Sequence, residues 1–186
     1  VAGLFWDGRR HRPFAGEGGH AGFAPSGDVE GELLRRLEAT HGRVSWERVV
    51  SGPGLVAIHE LLAARDGLRP VDEDGIGGAA AAIAAAAAAD PDGTAGRTVR
   101  LFAGLYGAVA GDVALTMMAT GGVWLAGGIA PKLLAFLEEG EFMARFLAKG
   151  RMRPLVEAMP VRVVLKADVA LWGAARCAQR HRSPRA

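Results

Sequence analysis

Residues 121–140, GGVWLAGGIAPKLLAFLEEG, indicate the fold class of this chain. A short apolar run typical of a buried strand leads into a double glycine, and Pro131 then opens a helical pattern, because proline in the first helical turn needs no N–H partner. A second apolar run, VRVVLKAD (161–168), precedes the helical pattern VALWGAARCAQRH (169–181). Strands that alternate with helices predict an α/β fold.

The chain upstream of this stretch is mainly helical by pattern. Apolar residues at helical spacing predict helices over 28–42 and 55–67, followed by an alanine-rich helix and a longer helix across about 97–118. Residues 67–78, rich in glycine, proline and acids, predict a surface loop. The longest helix contains poor helix formers that cost about 1 kcal/mol each, so we expect another element to pack closely against them: Gly104, Gly107 and Gly111.

The beginning of the chain predicts a β-hairpin that leads into an unusual polar stretch. Asp7-Gly8 is a favoured turn pair between two apolar runs, and the second run continues into GEGGH at residues 16–20. A carboxylate such as Glu17 accepts hydrogen bonds, and a neutral imidazole such as His20 offers one donor and one acceptor. This pair suits the adjacent hydroxyls of a sugar, although, from these residues alone, a surface turn with an idle histidine is the commoner explanation of such a pattern. One histidine and one glutamate are too few for a metal site.

Two further glycine-containing stretches are weaker signals. Glycines at 125–131, LAGGIAP, let a ligand approach the backbone, and a helix N-terminus favours negative charge, but a tight turn needs no ligand. This stretch matches neither the Walker loop nor the Rossmann fingerprint. SGPG at 51–54 is explained by a rigid turn before a helix. Glu47, taken alone, is typical of a solvated surface charge.

Composition excludes several classes of protein. The 186 residues are 50% hydrophobic with a formal net charge of +2 and 6% aromatic residues, which is unlike the dense basic stripe with stacking aromatics of a nucleic-acid-binding domain. Cys177 is the only cysteine, so neither an intrachain disulfide nor a cysteine-based zinc site can form, which indicates a reducing cytoplasm. The alanine-rich run is shorter than the roughly 20 residues that cross a membrane. We therefore expect a cytoplasmic protein without nucleic-acid or membrane partners.

Three stretches in this order resemble the bacterial ATP-dependent glucokinases of the hexokinase/actin-like ATPase superfamily: GEGGHAGFAP (16–25), SWERVVSGPGL (45–55) and GGVWLAGGIAP (121–131). The resemblance covers nearly the whole chain. It implies an actin-like (ribonuclease H-like) α/β domain with a central sheet flanked by helices.

The resemblance also implies a domain organisation. Residues 1–166 would form the larger, C-terminal domain of the enzyme, and the terminal helix within 167–186 would pack on an N-terminal domain. Val169, Leu171 and Trp172 on that helix would then form an exposed apolar patch.

The resemblance implies a role for each candidate site residue. Glu17, His20 and Glu47 would bind glucose hydroxyls, and Gly127 and Gly128 would lie on the adenosine side of the nucleotide. The implied reaction transfers the γ-phosphoryl group of ATP to the 6-hydroxyl of glucose, with Mg²⁺ accompanying the nucleotide and no metal held by the protein itself. Glucose and ATP are the expected partners, with a homodimer as an option.

The chain departs from the family pattern in what it lacks. Phosphoryl transfer needs groups that stabilise phosphate charge and a carboxylate that accepts the hydroxyl proton. Family members take these from an Asp-x-Gly-x-Thr loop, an Asp after Asn and a Gly-Thr-Gly-Leu-Gly turn, and this sequence contains none of them. VAGLFWDG (1–8) resembles the strand after that turn. We therefore expect no catalytic residue here, a general base in an N-terminal part, and negligible activity of the isolated chain.

Two alternatives remain beside a partial glucokinase. One is a non-catalytic sugar-binding or dimerisation remnant, in which the helix near 97–118 would be an interface rather than core. The other is a kinase for another hexose or an N-acetylated sugar. The related repressor/kinase group carries a cysteine-rich zinc motif after its equivalent of GGH, and its absence here favours the glucokinase branch.

Overall fold

Helices make up most of the chain. The computed structural model describes residues 1–69, 75–166 and 168–182. In chain order the elements are β1 (Ala2–Trp6), β2 (His11–Ala15), α1 (Asp28–His41), α2 (Trp46–Val49), α3 (Gly52–Arg65), α4 (Gly75–Ala89), α5 (Thr94–Met117), β3 (Val123–Leu125), α6 (Ile129–Lys132), α7 (Leu134–Glu138), α8 (Glu141–Leu147), α9 (Arg153–Glu157), β4 (Val161–Val163) and α10 (Val169–Arg182). Short 3₁₀ turns lie at Gly18–His20 and Gly150–Met152.

Helix α5 lies at the centre of the core. Phe102 and Leu105 are fully buried, and the helix packs against α3, α4 and α8. A Cβ atom added to Gly107 would lie 2.0 Å from the carbonyl oxygen of Phe142, and one added to Gly111 would lie 2.6 Å from that of Phe146. The structure thus confirms the close packing expected at these glycines and identifies α8 as the partner.

The burial of α5 also decides between two interpretations of this helix. By length and composition it could cross a membrane, but 61% of its most apolar 18-residue window is buried inside the protein. Helices of the same chain therefore cover the apolar surface of α5, which makes it a core helix. The expectation that it could serve as a dimer interface in a non-catalytic remnant gains no support from this packing.

The strands form two small sheets in the described part of the chain. Strands β1 and β2 pair antiparallel, with Ala2 opposite Ala15 and Trp6 opposite His11. Strands β3 and β4 pair parallel, and the helices α6 to α9 supply the crossover that parallel strands need. The expected mixture of helices and strands is confirmed, and helices predominate. The described residues form two separate strand pairs where one central sheet was expected.

Element boundaries differ from the sequence expectation at two places. Helix α4 begins at Gly75, so residues 75–78 are helical rather than part of a loop, while residues 70–74 of that expected loop lie outside the described residues. Local propensity does not explain this extension, because three of the four residues are glycines, which are poor helix formers. Pro131 is the third residue of α6 rather than its first, which still places it in the first turn, where proline is tolerated.

Helix α10 exposes two of the three apolar residues of the expected patch, Leu171 and Trp172, whereas Val169 is half-buried. Leu171 is 72% exposed and Trp172 is 63% exposed. The indole N–H of Trp172 donates to Asp168 Oδ2 at 2.9 Å, and Lys166 Nζ lies 4.9 Å from the ring centroid. These local contacts orient the indole but leave most of it in water. The part of the predicted segment at residues 167 and 183–186 lies outside the described residues.

Candidate functional site

A short backbone pairing joins the two stretches that carry the candidate sugar-binding residues. The N–H of Phe23 donates to the carbonyl of Val44 at 3.0 Å, and the N–H of Trp46 donates to the carbonyl of Ala21 at 3.0 Å. The rings of Phe23 and Trp46 are buried and meet edge to face, with their centroids 5.0 Å apart. The pairing and the ring contact together bring α2 beside the 3₁₀ turn at Gly18–His20.

This pairing places Glu17, His20 and Glu47 side by side. His20 Nε2 lies 3.1 Å from Glu47 Oε2 and 3.8 Å from Glu17 Oε2. The side chains of His20 and Glu47 are each 60% exposed, and that of Glu17 is 85% exposed. Three polar side chains distant in the chain thus converge on one accessible surface, where they offer carboxylate acceptors and an imidazole.

The glycines around Glu17 do not have unusual backbone angles. Gly16, Gly18 and Gly19 all have negative φ angles. A Cβ atom added to Gly19 would lie 3.9 Å from Glu47 Cβ, which is an ordinary contact. The tightest of these positions is Gly18, where an added Cβ atom would lie 3.3 Å from a methyl group of Val1. The structure therefore gives these residues no conformational reason to be glycine.

The second candidate site lies at the end of β3. Gly127 has a φ of +107°, a left-handed conformation that favours glycine, and Gly128 immediately precedes α6. Both glycines line a cavity of about 200 Å³. The other lining residues are Val50, Tyr106, Ala126 and Ile129. Val50 directly follows α2, so the residue after the helix that carries Glu47 lines this cavity.

The family model described as Glucokinase matches residues 1–181. The chain belongs to the glucokinase family. Among curated glucokinases, those of Trichormus variabilis and a Caulobacter species are 42% and 46% identical to it, over 95% and 90% of this chain. These alignments cover 57% and 50% of the relatives, so the chain spans about half the length of the curated glucokinases it matches.

Solved glucokinase structures share the fold. A glucokinase from an Antarctic psychrotroph has a TM-score of 0.79 and 32% identity, over 96% of this chain and 54% of that one. A glucokinase from Balamuthia mandrillaris, solved in complex with glucose, has the same TM-score at 21% identity, over 96% of this chain and 50% of that one. The second likeness, at this identity, shows the fold alone. The glucokinase assignment made from three spaced motifs is confirmed.

The SGPG stretch of this glucokinase-family chain has a structural explanation. The Ser51 hydroxyl accepts a hydrogen bond from the N–H of Gly54 at 3.2 Å, so it caps the first turn of α3, and the proline lies in that turn. An N-terminal cap of this kind satisfies a backbone donor that the helix itself leaves unpaired. The rigid turn expected from sequence is confirmed. It also fixes where α3 starts relative to Glu47.

Two residues that contact the candidate sites were not expected from the sequence of this glucokinase-family chain. Arg43 Nη2 donates to the carbonyl oxygen of His20 at 2.8 Å. This bond links the 3₁₀ turn at Gly18–His20 to the segment just before α2. Tyr106 reaches the glycine cavity from α5. Both contacts join residues far apart in sequence, and neither residue stands in a recognisable motif. The sequence indicates an open backbone at Gly127 and Gly128, but it does not show that α5 supplies the side chain beside them.

The described ranges contain no group of three or more histidine, cysteine, aspartate or glutamate side chains that could hold a metal ion. Glu17, His20 and Glu47 have the hydrogen-bonding chemistry for neutral hydroxyl groups. The glycine cavity has mostly apolar walls beside bare backbone. The two sites are therefore suited to different ligands, one rich in hydroxyls and one largely apolar and flat.

Proposed function

We propose that this chain is the sugar- and nucleotide-binding part of an enzyme that transfers the γ-phosphoryl group of ATP to the 6-hydroxyl of glucose. The observation that supports this most directly is the contact of His20 with Glu47, 27 positions apart, at 3.1 Å. Surface charges that bind nothing would have no reason to meet from such distant positions in the chain. Membership of the glucokinase family supplies the reaction class.

Glucose would bind over Glu17, His20 and Glu47. Each carboxylate accepts hydrogen bonds from sugar hydroxyls, while the imidazole donates with one nitrogen and accepts with the other. A site built to pair hydroxyls rejects an analogue that lacks one, by up to about 10⁴-fold, because its own polar groups would lose their partners. These residues would therefore orient the sugar and determine which hexose is accepted.

ATP would bind beside Gly127 and Gly128. The open backbone there admits a flat ligand, because an added Cβ atom at either position would point into unoccupied space. Mg²⁺ would arrive as the ATP complex, since it neutralises phosphate charge during phosphoryl transfer. The residues described here would hold the nucleotide rather than the metal ion.

The proposed organisation follows the family. Residues 1–166 would form the larger, actin-like domain, and the helix within 167–186 would pack on an N-terminal domain that supplies the general base and the phosphate loops. The exposure of Leu171 and Trp172 supports such a docked helix, because large apolar side chains in contact with water favour burial elsewhere. We place the enzyme in the cytoplasm. A homodimer remains a prediction, which analytical ultracentrifugation checks.

Calorimetric titration with glucose tests the sugar site. We expect Glu47→Gln to weaken glucose binding by about ten-fold or more, because hydrogen bonds to a charged group contribute about 1.5–3 kcal/mol, and His20→Gln to weaken it about five-fold, as for one ordinary hydrogen bond. Arg48→Ala is the matched control, since Arg48 is exposed on the same short helix and should leave affinity unchanged. Unchanged affinity in Glu47→Gln would contradict the assignment, and tighter binding of N-acetylglucosamine or mannose would contradict glucose as the substrate.

A coupled assay for glucose 6-phosphate tests the division of labour. We expect this chain alone to show negligible turnover although it binds glucose. Turnover near 1 s⁻¹ or above, roughly the low end for typical enzymes, would contradict the proposal that the general base lies outside the chain.

A further inference from the structure

Among the described residues that line the glycine cavity, one carries a hydrogen-bonding side chain. Of its lining residues, Val50, Ala126 and Ile129 are apolar and two are glycines, so the phenol of Tyr106 is the only polar side-chain group. Small-molecule sites commonly combine apolar walls with a few polar groups that fix the orientation of the ligand. Tyr106 is therefore placed to act as that orienting group.

The ring of Tyr106 is held in place by aromatic neighbours. It meets the Phe142 ring edge to face at a centroid distance of 5.7 Å and the Phe102 ring at 6.3 Å. Both partners are buried, Phe142 in the α5–α8 interface and Phe102 in the core cluster that includes α3 and α4, so the core holds the ring of Tyr106 in place. A side chain held this way loses little entropy when it contacts a ligand.

The hydroxyl of Tyr106 has an unused hydrogen-bonding capacity. No described residue forms a hydrogen bond with this hydroxyl. Every fully buried polar side-chain atom in the described part of the chain has a partner, so the hydroxyl, which has none there, is accessible to solvent or to a ligand. Burial of the side chain raises the pKa of Tyr106 above its ordinary value. The phenol therefore stays neutral near pH 7, where it can both donate and accept.

We propose that the Tyr106 hydroxyl hydrogen-bonds to the purine base of the nucleotide and so fixes how the base lies in the cavity beside Gly127 and Gly128. This inference rests on the proposed function. A volume of about 200 Å³ is below the roughly 300–1,000 Å³ typical of whole-ligand sites, so the cavity suits the base while the ribose and phosphates extend outward. Val50 and Ile129 provide apolar contact for a flat heteroaromatic ring, and the bare backbone of Gly127 and Gly128 allows it to approach.

Tyr106 is the only tyrosine in the chain, which makes it a spectroscopic probe of its own site. Protein labelled with 3-fluorotyrosine gives one ¹⁹F resonance. We expect that resonance to shift as Mg-ATP is added and to saturate with the dissociation constant measured by calorimetry. Glucose alone and inorganic tripolyphosphate, which lack a base, should leave it nearly unmoved.

Substitution separates a base contact from a structural role. We expect Tyr106→Phe to weaken Mg-ATP binding about five-fold, as for one lost hydrogen bond, and to leave tripolyphosphate and glucose binding unchanged. Thr116→Val is the matched control, because it removes an exposed hydroxyl from the same helix. A thermal melt that matches the unmodified chain shows that the Phe variant is folded.

The outcomes separate this inference from the proposed function. If Mg-ATP binds but neither moves the ¹⁹F resonance nor distinguishes the Phe variant, the contact with Tyr106 is refuted while the kinase assignment stands. Equal weakening of ATP and tripolyphosphate binding in the Phe variant also refutes it, because the effect would then not concern the base. Because the phosphate loops are proposed to lie outside this chain, adenosine is titrated as well. Failure of the unmodified chain to bind either Mg-ATP or adenosine would overturn both this contact and the nucleotide site at Gly127 and Gly128.

Discussion

The α5–α8 interface and the β1–β2 hairpin are both rich in large apolar residues, but the structure treats them in opposite ways. At the interface, the α8 rings of Phe142 and Phe146 are both buried. In the hairpin, Leu4, Phe5 and Trp6 are all more than half exposed. The apolar character of a segment therefore does not determine its burial in this chain, because burial also requires a second surface that can approach it.

Glycine provides that approach in the first region. Without side chains at Gly107 and Gly111, the backbone of α8 lies directly against α5. The hairpin has no such partner in the described residues, and an isolated two-stranded hairpin is at best marginally stable in water. Substitutions in the closely packed helix α5 should therefore change the free energy of unfolding more than substitutions in the exposed hairpin.

Removal of a buried ring should have the largest effect. We expect Phe102→Ala to lower the free energy of unfolding by about 3–5 kcal/mol, because it loses the transfer free energy of the ring and leaves a cavity. Urea denaturation monitored by circular dichroism measures the change. A loss below about 1 kcal/mol would show that α5 is not the centre of the core.

A single added methyl group should have the next largest effect. We expect Gly107→Ala to destabilise the chain by about 1–3 kcal/mol, because the new Cβ atom would meet the backbone of α8. Gly104→Ala is the matched control. Its new Cβ atom would meet flexible side-chain atoms of Glu141 at 3.2 Å, and alanine has a higher helix propensity than glycine. Equal urea midpoints for the two variants would contradict the close-packed interface.

The interface between α3 and α5 should make stability depend on pH. Burial lowers the pKa of His59, partly opposed by Glu60, and His59 Nδ1 lies 3.1 Å from the Thr98 hydroxyl, which donates to the Thr94 carbonyl. The unfolded state therefore binds a proton more readily, so the stabilisation is complete above the ordinary histidine pKa of about 6.5 and is lost as pH falls toward the lowered value.

Urea midpoints at pH 7.5 and 5.5 measure this dependence. We expect the midpoint of the unmodified chain to fall over this interval and that of His59→Gln, which cannot titrate, to fall less. An equal fall in both proteins would mean that other groups cause the dependence.

The smallest effect is expected in the hairpin. Trp6→Ala should change the free energy of unfolding by less than about 0.5 kcal/mol, because a side chain that is 59% exposed loses little burial. Urea denaturation alongside Phe102→Ala gives the comparison directly. A loss that approaches that of Phe102→Ala would show that the hairpin packs against another surface in solution.

Much of the fold was predictable from local pattern. The helical segments, the Asp7-Gly8 hairpin and the strand before the double glycine follow from spacing and turn chemistry, which depend on neighbouring residues. The exposure of Leu171 and Trp172 was also expected, from the family resemblance. The division of the strands into two separate pairs was not, because strand pairing depends on contacts that the local sequence does not encode.

The candidate site was only partly predictable. Glu17 and His20 lie close together in sequence, and their chemistry can be read there, but Glu47 alone is typical of a solvated charge. Its place beside His20 depends on the pairing of residues 21–23 with residues 44–46. Arg43 and Tyr106 carry no local signal, and their roles depend on which backbone and which cavity each one reaches.

The sequence by itself determined where helices and turns form, which family the chain resembles, and which residue types are available for hydroxyl recognition. These properties depend on side-chain chemistry and on backbone preferences over a few residues. Only the tertiary structure decided that α8 covers the glycines of α5, that Glu47 meets His20, and that Tyr106 enters the cavity beside Gly127 and Gly128. Each of these contacts joins distant segments, and its position depends on how the whole core packs around α5.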